Sequence, residues 1–128
     1  MNDQDPCPCG RGAVYAECCG PLHAGDPAPT AERLMRSRFS AFALGDGAYL
    51  LASWAAETRP AQLDLDDGVE WRRLLIRDVT AGGPADRTGR VAFTAVGRGP
   101  EGRVELRERS RFARDEAGRW VYVDGDIE

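Results

Sequence analysis

The chain has no lysine and a single histidine, His23. All 17 basic residues are arginine, against 21 aspartates and glutamates, for a formal net charge of −4. An acidic protein gains no long-range attraction to nucleic acid or to anionic lipid, so neither is expected as a partner. The exclusive use of arginine reads first as a composition bias, although bidentate pairing is open to each arginine locally. No apolar run approaches the ~20 residues of a membrane span. The opening Met1-Asn2-Asp3-Gln4-Asp5 is acidic and polar with no apolar stretch behind it, unlike a secretory leader. The expected location is cytoplasmic, where thiols stay reduced. Internal repeats and low-complexity tracts are also absent. A chain of 128 residues has room for one domain with a real core and a short appendage.

What is present is concentrated. All four cysteines fall within the stretch Cys7 to Cys19, CPCGRGAVYAECC. Disulfides fit this spacing poorly. Cys18-Cys19 is vicinal, Cys7-x-Cys9 is nearly as tight, and bridging the two ends needs an oxidising compartment. Free core thiols fit poorly too, because Pro8, Gly10, Arg11 and Gly12 are not core residues. A metal is favoured, with zinc the default, and four soft sulfurs fill a tetrahedron in the manner of a structural site. His23 could replace Cys18 or Cys19 as a ligand, but by ligand count it reads better as a packing residue. Gly10 and Gly12 permit tight turns over the metal. Arg11 offsets thiolate charge, and Tyr15 is the knob's own packing residue. So small a piece has almost no apolar core. Metal binding should therefore supply its folding energy, on the order of 10–16 kcal/mol in zinc-finger peptides.

Residues 1–6 read as disordered, and Pro21, Gly25, Pro27 and Pro29 mark an extended linker. Thr30 is a helix N-cap, and the helix it opens places Met35, Phe39 and Phe42 within about 60° of one another, flanked by Ala31 and Ala43. Gly45 stops it. Asp46 caps a second short helix carrying Tyr49, Leu50, Ala52 and Trp54, with Pro60 as its terminator. From Val69 the period changes to that of strands. The expected strands cover 69–80, 90–96, 103–114 and 119–124, with turns at Gly82-Gly83-Pro84, Gly97–Gly102 and Glu116-Ala117-Gly118. Short turns imply antiparallel pairing. The predicted fold class is α+β: an N-terminal zinc knob, then a cone-shaped domain with two helices packed on a curved antiparallel four-stranded sheet.

In the third strand Val104, Leu106, Glu108, Ser110 and Phe112 share one face, and Glu105, Arg107, Arg109 and Arg111 the other. Glu108 and Ser110 thus interrupt an apolar face, and a carboxylate there needs a partner or solvent. Arg38 lies at the edge of the first helix's apolar stripe. The expected pocket joins Arg38 to Glu108 inside the cone, with Ser110 beside them and Trp54 and Tyr49 along the wall. An ion pair that only fixes register is the plainer alternative. The arginine stripe reads as a solvated face balanced by Glu101, Glu105, Asp115 and Glu116.

Two resemblances extend these readings. CPCGRGAVYAECCG resembles the SEC-C motif known from the C-terminus of the preprotein translocase ATPase SecA, which implies Cys7, Cys9, Cys18 and Cys19 as the ligands of a structural Zn2+. The stretches CCGPLHAGDPAPTAERLMRSRFSAFALGDGAYLLASW and LRERSRFARDEAGRWVYVDG resemble the YchJ family. Its members join that motif to a domain similar to nuclear transport factor 2. The implied division is 1–20 for the zinc-binding motif, 21–29 for the linker and 30–128 for the α+β domain. The resemblance implies no reaction. SEC-C motifs that bind partners usually carry lysines where this chain has Ala13 and Val14, and in SecA the motif is associated with the chaperone SecB, so the missing charges argue against a SecB-like contact. Family members often carry histidines in place of Ala55 and Arg107, and an activity that depends on either cannot operate here. The functional expectation is a zinc-stabilised module that binds a protein partner through the knob or a small ligand in the cone, able to form a homodimer. The alternative is a small-molecule hydrolase or isomerase acting in the cone interior.

Overall fold

The computed structural model describes residues 2–65 and 67–128. Three α-helices, α1 (Cys19–His23), α2 (Ala31–Leu44) and α3 (Gly47–Ala52), precede four strands, β1 (Glu70–Ala81), β2 (Thr88–Gly99), β3 (Gly102–Arg114) and β4 (Trp120–Ile127). The strands form one open antiparallel sheet in the order β1-β2-β3-β4. Register shifts between Trp71 and Arg73, Ile76 and Asp78, and Arg111 and Phe112 bend the outer strands. No helix among the described residues is long and apolar enough to cross a membrane.

The helix limits follow local chemistry. Thr30 Oγ1 accepts from Arg33 N at 3.1 Å, and Gly45 closes α2 in the left-handed region at φ 74°. Thr30→Ala is expected to lower stability by about 1 kcal/mol through loss of the cap, measured by urea unfolding. Asp46 Oδ1 accepts from Tyr49 N at 3.1 Å and starts α3. That helix ends earlier than expected, and Trp54 lies beyond it. Ser53 O accepts from Tyr122 N, and Ala55 N donates to Tyr122 O, so residues 53–55 run along the open edge of β4 and cover it.

The N-terminal region departs further from the sequence expectation. Residues 2–6, expected to be disordered, fold against the knob. Tyr15 N donates to Asp5 O, Ala16 N to Asp3 O, and Pro6 bridges Val14. Pro21, Leu22 and His23, expected in an extended linker, complete α1, with Leu22 buried in the main core. Proline is tolerated there because the first turn of a helix has no use for its N–H.

The main core lies between α2 and the concave face of the sheet, with Leu34, Met35, Phe39, Val91, Phe93, Phe112 and Trp120 at its centre. Phe42, expected to continue this stripe, is 37% exposed and lines the cavity beside the core. β2 is longer than expected, and Gly97 and Gly99 lie within it rather than in a turn. A Cβ on Gly97 would sit 2.7 Å from Glu70 O and 3.0 Å from the Trp71 ring, so the glycine permits close strand approach. At the other end of the hairpin, Gly82 O accepts from Ala31 N and seats the start of α2. A Cβ on Gly89 would fall 2.5 Å from Gly82 Cα. Backbone cannot yield there, so Gly89→Ala is expected to cost about 1–3 kcal/mol, read by thermal unfolding.

Candidate functional site

The knob forms its own cluster. Cys7, Cys9, Cys18 and Cys19 are buried, and their four sulfurs all lie within 4.8 Å of one another. Cys9 Sγ is 3.5 Å from Cys18 Sγ, and Cys18 Sγ is 4.0 Å from Cys19 Sγ. A tetrahedral ion with bonds of about 2.3 Å, the zinc–thiolate length, needs sulfur–sulfur edges of roughly 3.8 Å. The cluster thus fits an ion, whereas all four cysteines are free of disulfides. Gly10 and Gly12 take φ 76° and 100°, which turn the chain around the sulfurs. Arg11 Nε donates to Cys18 Sγ at 3.4 Å, and this bond raises the arginine's pKa above its usual value. The thiols bias one another. Cys7 is drawn down by the hydrogen bond from Cys19 and then by that from Cys9, while Cys19 is pushed up by its own bonds to Cys7 and then to Cys9. Thiolates packed this closely repel one another, and a bound cation relieves that repulsion, which is the chemistry of a metal-ligand set.

His23 is not among the clustered sulfur ligands. Its Nε2 lies 2.8 Å from Ser37 O, a carbonyl that only accepts, so Nε2 carries the proton. Nδ1 lies 2.6 Å from the Tyr15 hydroxyl, a hydrogen bond in which the neutral ring accepts. The histidine thereby ties Tyr15 of the knob to α2. Further ties surround it. Arg33 Nη2 donates to Cys18 O at 3.1 Å and Arg36 Nη1 to Cys9 O at 3.0 Å. Ser40 Oγ donates to Cys19 Sγ at 3.3 Å and lies 3.5 Å from Cys7 Sγ. The knob is docked on one face of α2, not hung from a linker. Ser37 and Ser40 are fully buried for this reason. Sequence reasoning passed over both, because a serine in a helix carries no sign of what it faces.

The opposite side of α2 looks into a cavity of ≈ 280 Å³ beneath the sheet. Arg38, Trp54, Glu108 and Ser110 all line it, among the apolar walls of Met35, Phe39, Trp71, Phe93 and Leu106. The expected direct pairing of Arg38 with Glu108 is not formed. Arg38 Nη1 instead donates to Leu50 O at 2.8 Å and Ser53 Oγ at 2.7 Å. The guanidinium lies over two rings that pack edge-to-face on each other, 4.9 Å from the centroid of Trp54 and 4.5 Å from that of Tyr122. Glu108 Oε2 accepts from Ser110 Oγ at 2.5 Å and from the Tyr122 hydroxyl at 3.3 Å. Tyr122 thus stands between the two charges and satisfies both, by its face and by its hydroxyl. Burial, then the Glu108 charge, pushes its pKa up to about 12, so the hydroxyl stays a donor. Burial pulls Arg38 down to about 10, which leaves it charged at neutral pH. Tyr122 was missed as a site residue. Its signal was the alternation of Trp120 and Tyr122 in β4, which puts both on the inner face.

Tyr49 is placed elsewhere. Its hydroxyl lies 2.7 Å from Ser37 Oγ and its ring 4.6 Å from that of His23, so it faces the knob and lines a separate cleft with Leu22 and Trp120. α3 is rotated so that Leu50, not Tyr49, turns to the interior. On the outer sheet face the arginine stripe is paired with other acids than those expected. Arg111 binds Asp124 and Asp126 and Arg109 lies 3.8 Å from Asp78, while Arg77 of β1 binds Glu128. Strand pairing sets these partners, because β4 runs to Ile127 and carries Asp124 and Asp126 alongside β3.

These features define a class: a small α+β cone with a four-cysteine knob docked on its long helix. Residues 5–21 match the SEC-C motif, and residues 30–125 match the middle NTF2-like domain of YchJ. The chain belongs to the YchJ family. The UPF0225 protein SCO1677 of Streptomyces coelicolor is 52% identical over 123 residues, covering 95% of each chain. The UPF0225 protein of Deinococcus radiodurans is 48% identical over 121 residues, covering 93% of this chain and 87% of its own. Among solved structures, RPA3114 of Rhodopseudomonas palustris, a SEC-C motif containing protein, superposes with a TM-score of 0.82 at 32% identity. That match covers 100% of this chain and 99% of the other. The motif and the clustered sulfurs together identify a site that can hold a metal ion.

Proposed function

We propose that this protein is a zinc-stabilised module that binds a small molecule in the cone. Cys7, Cys9, Cys18 and Cys19 would hold the zinc in a closed four-sulfur shell, a structural role with no position left for water. The observation that carries the binding function is the cavity. It combines apolar walls with a few convergent polar groups, Arg38, Glu108 and Ser110, the usual make-up of a ligand site. Native mass spectrometry of the full chain is expected to show one zinc per chain, and it reports dimerisation or a retained protein partner in the same spectrum. A folded, metal-free mass would overturn the zinc assignment. For the cavity, amide and indole NMR spectra recorded with a set of small aromatic acids, amides and amines should show the Trp54 and Trp71 indole signals moving. Silence of both throughout the set would refute the binding role.

One contact favours a second reading, a hydrolase or isomerase. Ser110 donates to Glu108 inside the cavity, and both hydrogen bonds to Glu108 fall on Oε2. Among the described residues no side chain bonds Oε1, which would exchange a proton with a bound molecule. Turnover lost in Glu108→Gln with binding retained is the signature of that reading.

A further inference from the structure

Arg38 is 4% exposed, yet among the described residues no carboxylate forms an ion pair with it. Buried charges are ordinarily paired, because an uncompensated one is expensive to desolvate. The protein supplies part of the compensation. Leu50 O and Ser53 Oγ both accept from Nη1, and the Trp54 and Tyr122 rings cover the guanidinium. Nε and Nη2 donate to no acceptor among the described residues. A guanidinium with one nitrogen anchored and two still free to donate retains the fork that recognises a carboxylate. Trp54, which stacks on Arg38, lines the same cavity, so its ring would sense a molecule bound there. Glu108 steadies the Arg38 charge only at a distance, its carboxylate being bonded to Ser110 and Tyr122 and forming no direct ion pair with the guanidinium.

Resting on the small-ligand reading above, we infer that the cone cavity takes a small monocarboxylic acid with an apolar body, its carboxylate on Arg38 and its body against Met35, Phe39, Trp71 and Phe93. The volume limits its size: ≈ 280 Å³ is near the lower end of ligand pockets. Charge limits its class. Asp67 and Glu108 line the same cavity, so Arg38 matches one negative charge, and the further charge of a phosphate or a dicarboxylate meets repulsion.

The test uses the full-length, zinc-loaded, 15N-labelled chain and three probes: phenylacetate, its neutral isostere phenylacetamide, and inorganic phosphate. Phenylacetate should move the Trp54 indole signal and bind at least tenfold more tightly than the amide, and phosphate should leave that signal in place. Equal affinity for acid and amide would overturn the carboxylate assignment and leave the cavity as a ligand site. Phosphate moving the Trp54 signal and displacing phenylacetate would overturn the monoanion class. No response of Trp54 or Trp71 to acid or amide would remove the binding role itself. Arg38→Met should bring the acid down to the amide's affinity, with the amide unchanged. If that variant does not fold, Arg38→Lys, which keeps the charge and loses the fork, should lose most of the preference for the acid.

Discussion

Stripping the metal from the cysteine cluster is expected to disorder the whole N-terminal region and to loosen α2. The knob has almost no apolar core of its own. Its buried cluster consists of Cys7, Cys9, Cys18 and Cys19, and among the described residues the hydrophobic side chains packed against it are Ala13 and Tyr15. In comparable small units metal binding supplies on the order of 10–16 kcal/mol of folding energy. Loss of the knob also releases its bonds to α2: Arg33 to Cys18 O, Arg36 to Cys9 O, Ser40 to Cys19 and His23 to Ser37 O. At about 0.5–1.5 kcal/mol for each net hydrogen bond, the cone should lose roughly 2–6 kcal/mol. That corresponds to a Tm lower by on the order of 10 °C or more. Hydrogen exchange on chelated protein, or on Cys9→Ser, should show protection lost over residues 2–25 and weakened along α2, while β2 and β3 keep theirs. Unchanged protection at Arg33–Ser40 would show that docking of the knob does not support the helix.

Phe112→Ala should be the most damaging single truncation in the cone. Phe112 is 2% exposed at the centre of the core, and its ring packs edge-on to Tyr122 with centroids 5.8 Å apart. Cutting a phenylalanine back to alanine in such a place costs about 3–5 kcal/mol, the spread reflecting how far the site collapses. Here collapse is resisted, because Tyr122 is fixed by Ser53 and Ala55 on its backbone and by Glu108 on its hydroxyl. The variant should therefore lie near the upper end in urea unfolding. Tyr122 would also lose the wall that sets its tilt over Arg38, so the cavity should lose ligand affinity before the fold is lost. A cost below about 2 kcal/mol would mean that the core refills the space and that Tyr122 is held from elsewhere.

Much of this molecule is written in local chemistry. Thr30, Gly45 and Asp46 delimit the helices because a cap acts over three or four residues. The alternation of Val104, Leu106, Glu108, Ser110 and Phe112 assigns one face of β3 to the interior because strand side chains alternate strictly. Spacing alone was enough to single out the four cysteines, since thiols crowded into one short turn have few other uses. These signals do not need a neighbour to be known, and the α+β layout follows from them.

The tertiary structure decided what each of those faces meets. Periodicity gives the width of an apolar stripe but not what lies at its edges. It could not show that Ser37 and Ser40 receive the knob while Arg38, on the same helix, turns to the cavity. The rotation of α3 sent Tyr49 to the knob and left Trp54 beyond the helix, where pairing with β4 sets its ring over Arg38. Register placed Tyr122 between Arg38 and Glu108, two charges that sequence reasoning had joined directly. Composition and spacing determined that the knob can hold a metal. Only packing across α2 made the knob part of the cone, because hydrogen bonds between segments distant in sequence exist only after the chain has closed on itself.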